Sequence, residues 1–110
     1  MRQRYESKPE IEKPLPISFE VEGEPEPATG SIERLSLVGV DIETPRAPAV
    51  GCRIVFDAAL DPHSPEVLAF AGRVRWVGGA RIGVQFADLG AKETHAIVQA
   101  MATGCSRVLR

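Results

Sequence analysis

The chain has 110 residues, 44% apolar and 25% charged, the make-up of one ordinary folded domain, which excludes a chain disordered throughout. Its net charge of −2 excludes the broad basic excess of a duplex nucleic-acid binder. No apolar run is long enough for a transmembrane helix, and Met1-Arg2-Gln3-Arg4-Tyr5-Glu6 has no apolar stretch after its charges, so no secretory signal is read there. The expected protein is cytoplasmic, with neither nucleic acid nor membrane as a partner.

Residues 1–16 are polar and carry Pro9, Pro14 and Pro16. Proline fixes φ and removes a donor, so this stretch is expected to be a flexible arm. At its tip Arg2, Arg4 and Lys8 outnumber Glu6. The folded domain is expected over residues 17–110. Ile17 to Glu22 alternates apolar and polar residues, as a half-buried strand does. Gly23-Glu24-Pro25-Glu26-Pro27 breaks it, and Thr29 to Leu35 reads as a second strand. Ser36-Leu37-Val38-Gly39 reads as a tight connection in which Gly39 supplies a positive φ. Val40 to Thr44 alternates again.

Val50, Cys52, Ile54 and Phe56 then share one strand face, with Arg53 and Asp57 on the other. Asp61-Pro62-His63-Ser64-Pro65 is a loop. Leu68, Phe70, Val74 and Trp76 fall on one face of the next strand, opposite Arg73 and Arg75, and Gly78-Gly79 reads as a hairpin turn. Ile82, Val84 and Phe86 mark a last strand. Six or seven short strands separated by turn residues predict a sandwich or barrel. After Asp88 the period changes: Ile97, Met101 and Cys105, with Val98 and Ala102 beside them, form an apolar helix stripe over about residues 90–105. That helix is expected to cover a barrel mouth or an open sheet edge.

The residues that carry chemistry are few. His63, His95, Cys52 and Cys105 lack metal-ligand spacing, and the cysteines fall on apolar faces as small core residues. No Gly-x-Ser-x-Gly elbow and no Gly-rich loop followed by lysine is present. No catalytic residue, metal or cofactor is assigned, and an enzyme is not expected.

The order of these pieces resembles a PilZ domain. That resemblance implies a small antiparallel six-stranded β-barrel with a basic N-terminal arm and a C-terminal α-helix, and a bacterial receptor for cyclic di-GMP. It rests on Arg4-Tyr5-Glu6-Ser7-Lys8, similar to the family's Arg-x-x-x-Arg, and on Arg34-Leu35-Ser36-Leu37-Val38-Gly39, similar to its Asp/Asn-x-Ser-x-x-Gly. Gly72 to Trp76 and Ile82 to Leu89 are similar to its last two strands and the entry to its helix.

The resemblance assigns cyclic di-GMP to Arg4, Lys8, Ser36 and Gly39, with Arg2, Arg34 and Trp76 beside them. An arginine fork can grip a phosphate and stack on a base, whereas lysine supplies only a point charge. Arg34 stands where the family has an acceptor for the guanine edge, and arginine has five donors and no acceptor. Binding is therefore expected to be weak or absent, and a nucleotide-independent protein-interaction adaptor of the same fold is the alternative. Read without the resemblance, Arg34 pairs with Glu33 or Glu20 across the sheet, the arm is a solvated terminus, and Trp76 packs in the core with Val74 and Phe70. A downstream protein partner is expected in either case, for a monomer or a dimer.

Overall fold

Period-two alternation turns one side of each strand inward, and six such strands have enough curvature and apolar surface to close on themselves. The computed structural model describes residues 10–104, with side chains from 14 to 102. Within it the strands are β1 (Glu10–Val21), β2 (Ala28–Leu35), β3 (Gly39–Glu43), β4 (Arg53–Ala58), β5 (Leu68–Gly78) and β6 (Arg81–Ala87), followed by helix α1 (Ala91–Gly104). They close in the order β1-β2-β3-β6-β5-β4. Every neighbouring pair is antiparallel, and the ring is sealed where Phe19, Glu20 and Val21 face Phe56, Val55 and Ile54. The expected six-stranded barrel with a C-terminal helix is the architecture found.

The barrel is filled, not hollow. Phe19, Ile32, Ile42, Phe70, Val74 and Ile82 are almost fully buried. Phe56 stacks on Phe70 with ring centroids 5.3 Å apart, and Phe86 tilts against Phe70 at 6.0 Å, the offset and tilted arrangements that aromatic quadrupoles favour. Thr44, 1% exposed, donates its hydroxyl to the Thr29 carbonyl at 2.8 Å.

Alternating strand directions put the β1–β2 turn, the β3–β4 loop and the β5–β6 turn at one end. The β2–β3 corner, the β4–β5 loop and α1 occupy the other. Helix α1 buries Ala96, Ile97 and Ala100 and half-buries Met101. It is tied to the β4–β5 loop by Lys92 on Glu66 at 3.0 Å and by His95 near Asp61 at 3.9 Å. The hydrogen bond and charge of Glu66 hold the Lys92 ammonium above its ordinary value.

Four sequence expectations shift. β1 begins at Glu10, so the strand takes seven residues that had been assigned to the arm. Pro14 falls within a register irregularity, and Pro16 pairs only with β2, because β4 meets β1 only from Phe19 onward; a one-sided strand tolerates a missing donor. Val50 is 61% exposed, because the chain turns at residues 50 and 51 and β4 starts only at Arg53. Val98 is 41% exposed, since the buried helix stripe runs through Ala96, Ile97 and Ala100. Gly39 has no positive φ; among the described residues the glycines that do are Gly23, Gly51 and Gly79.

Candidate functional site

The β2–β3 corner is built by Ser36. Its Oγ accepts from the Val38 amide at 3.1 Å and the Gly39 amide at 3.4 Å, and its own amide donates to the Gly39 carbonyl at 2.9 Å. These bonds close the turn, and the hydroxyl hydrogen remains able to donate outward. Ser36→Ala is expected to cost about 1 kcal/mol, read as a lower urea midpoint with an unchanged slope. Gly39 is needed for space. A Cβ there would collide with the Val84 carbonyl, because β3 lies directly against β6. Leu37 and Val38, between them, are 46% and 64% exposed.

Two bulges decide what faces outward beside this corner. On β2, Ile32 faces Ile42 and Arg34 faces Asp41, so β2 spends two steps where β3 spends one. The extra residue, Glu33, turns Arg34 out of the interior, and Leu35 turns back in at 1% exposure. On β5, Val74 faces Val84 and Trp76 faces Gly83, so Arg75 is the extra residue and Trp76 also turns outward. A bulge re-aims side chains by breaking strict alternation. The placement of Trp76 with Phe70 and Val74 in the core is therefore corrected: the indole lies on the outer wall, half-exposed.

The outer row that results is Arg34, Asp41, Gly83, Trp76, one residue from each of β2, β3, β6 and β5. Strand spacing makes it about 14 Å from end to end. Asp41 faces outward between Val40 and Ile42, yet is only 1% exposed. Trp76 lies against Gly83: a Cβ at Gly83 would overlap the indole around Nε1. A shallow hollow of about 350 Å³ beside the ring is lined by Glu43, Trp76, Gly78, Ala80 and Arg81.

The charges are arranged across the same wall. Arg34 stands opposite Asp41, a cross-strand pair of opposite sign. Glu20 is opposite Val55 on another part of the barrel, and Glu33 receives Arg81 at 3.2 Å. The cross-strand partner of Arg34 is thus Asp41, which sequence reasoning did not single out. Glu10 is the β1 register neighbour of Arg34, so the N-terminal segment enters the barrel at this row.

Ser36, Gly39 and Arg34 therefore share one corner, and Trp76 shares the outer row with Arg34. Arg2, Arg4 and Lys8 lie outside the described residues, as does Cys105. A spacing of three between the buried apolar residues Ile32 and Leu35 was the available sign of the β2 bulge, because a regular strand would space them by two or four. A second hollow, of about 380 Å³, opens at the end of the barrel away from the β2–β3 corner, between the β1–β2 turn and the β3–β4 loop.

No curated protein matches the chain significantly. Among solved structures, the crystal structure of the PilZ domain of CeSA from a cellulose-synthesizing bacterium aligns over 91% of this chain and 97% of that one. The TM-score is 0.62 and the identity 16%, a likeness of fold. The model of the PilZ domain family matches residues 2–103, nearly the whole chain, and the chain belongs to that family.

Proposed function

We propose that this chain is a cytoplasmic, non-catalytic receptor and adaptor domain of bacterial cyclic di-GMP signalling, which binds the nucleotide weakly and acts on a protein partner. The observation that carries this reading is the outer row, in which two bulges bring Trp76 and Arg34 onto the wall beside the Ser36–Gly39 corner. The accessible part of this half-buried indole is a platform for a guanine. The Ser36 hydroxyl can donate to a phosphate, and Gly39 holds the corner that presents it tight against β6. Arg34 and Arg4 can each fork a phosphate, with Lys8 and Arg2 as further cations. Lys8 precedes Glu10 by two residues, a reach of about 7 Å at full extension, and Glu10 neighbours Arg34 in the sheet.

Weakness follows from the guanine edge. Its N1–H and N2–H₂ side, the one an Asp or Asn would bind, presents donors, and Arg34 returns donors. Asp41 has the acceptors, but at 1% exposure they are closed to a ligand. Guanine donors left unpaired at a dry site cost about 1–3 kcal/mol.

The test uses the chain's single tryptophan. With cyclic di-GMP at about 100 µM, stacking on Trp76 is expected to quench its emission, with a matching heat in calorimetry. Trp76→Phe, which keeps a ring, should retain most of that heat, whereas Trp76→Ala should weaken binding about ten-fold. Silence in both measurements at that concentration removes the nucleotide and leaves the adaptor reading. The nucleotide-independent adaptor is favoured by one observation: Arg34 already faces a carboxylate across the sheet.

A further inference from the structure

On the outer wall, two arginines of neighbouring strands stand directly opposite each other: Arg53 of β4 and Arg73 of β5 are register partners. Like charges in that position destabilise a sheet. Arg75, the extra residue of the β5 bulge, adds a third exposed cation two residues further along. The carboxylate placed among them is that of Glu22. Its Oε1 accepts from the Arg53 amide at 3.2 Å and lies 3.8 Å from Arg73 Nη1. Arg73 keeps 54% of its side chain exposed and holds the preceding turn by donating to the Gly51 carbonyl at 3.0 Å. That turn is bonded to β5 through the Gly51 amide on Val74, and it carries Val50, 61% exposed.

A chain of net charge −2 thus holds three arginines on one face, two of them in an unfavourable register, beside an exposed aliphatic residue. We propose that this face of β4 and β5 docks an acidic segment of a partner protein. Arg53, Arg73 and Arg75 would meet its carboxylates, and Val50 would meet an aliphatic side chain. Guanidinium forks suit carboxylates. An incoming carboxylate also relieves the repulsion between Arg53 and Arg73, so the charge that costs stability in the free domain becomes affinity in the complex. The surrounding acids favour a short acidic segment over a nucleic acid, because Glu20, Glu22 and Asp57 flank the arginines on the same wall and would repel an extended polyanion. The inference stands whether or not cyclic di-GMP binds.

The test uses the full chain and a fluorescein-labelled five-residue peptide, Glu-Leu-Glu-Leu-Glu, whose three side-chain carboxylates match the three arginines, followed by anisotropy. Binding is expected at low salt and should weaken as salt rises. The triple variant Arg53→Gln, Arg73→Gln, Arg75→Gln should bind about ten-fold less tightly, the sum expected of three exposed charge pairs. Arg46→Gln, in the β3–β4 loop, should bind as the parent does. Arg53→Gln alone should melt no lower than the parent, since it removes a like-charge contact, and it serves as the probe if the triple variant does not fold. Absence of peptide binding, equal binding by the triple variant, or a lower melting point for Arg53→Gln would overturn the proposal. So would duplex DNA displacing the peptide at equal charge, or a loss of cyclic di-GMP binding in the triple variant. The last result would assign the arginines to the nucleotide instead.

Discussion

Gly39→Ala is expected to destabilise the domain by about 3 kcal/mol, the upper end of the cost of forcing a methyl into packed structure. The added carbon would overlap the Val84 carbonyl oxygen and crowd the backbone of Gln85. Neither can rotate away, because Val40 and Val84 are register partners and the Phe86 amide donates to the Val38 carbonyl at 2.9 Å, holding β3 and β6 together up to the corner. Gly83 is a useful contrast: a methyl there would meet the Trp76 indole, a side chain that can swing outward. Since domains of this size are stable by about 5–15 kcal/mol, a loss near 3 should appear as a large fall in the urea midpoint. A loss below about 1 kcal/mol would show that β3 can lift from β6, and the packing account of this glycine would fail. The result also governs how the motif is read. Lost nucleotide binding in Gly39→Ala would report a disturbed corner, so Trp76→Ala, away from the corner, is the cleaner probe of contact.

The barrel was legible because its signal is redundant. Ile17, Phe19 and Val21, or Ile82 and Val84, each declare an inward face on their own, and turn residues mark the strand ends. The corner was legible for a similar reason, since serine and glycine at that spacing are local turn chemistry. What the pattern hid were the bulges. Alternation propagates face assignments along a strand, so one extra residue reverses every side chain beyond it. That is why Trp76 read as core. Asp41 escaped notice because it looked like the ordinary polar member of an alternating strand. Its burial at an outward-facing position is a tertiary property, which sequence spacing does not encode.

Arg34→Asp, the change that restores the family's motif residue, is expected to cost about 3 kcal/mol by itself. Asp41 is 1% exposed and stands directly across from residue 34. The substitution removes the opposite charge facing a buried carboxylate and puts a like charge in its place. Arg34 is half-exposed, so the cost belongs at the lower end of the range for an uncompensated buried charge. Adding Asp41→Asn removes the repulsion, and the pair should recover about 2 kcal/mol of that loss, a coupling of the size seen between contacting residues. Urea unfolding of the parent, the two single variants and the double variant measures this cycle, and additive effects would dismiss the Arg34–Asp41 contact as energetically empty. The cycle also decides how nucleotide binding can be restored. Arg34→Asp with Lys8→Arg completes both motifs on paper but leaves two facing carboxylates, so a failure to bind would reflect a damaged wall. The informative variant carries Arg34→Asp, Asp41→Asn and Lys8→Arg together. If it binds cyclic di-GMP where the parent is silent, the parent's row is a closed charge pair and the domain works as a nucleotide-independent adaptor. If the parent already binds as tightly, Arg34 is no obstacle to the nucleotide and the receptor reading stands.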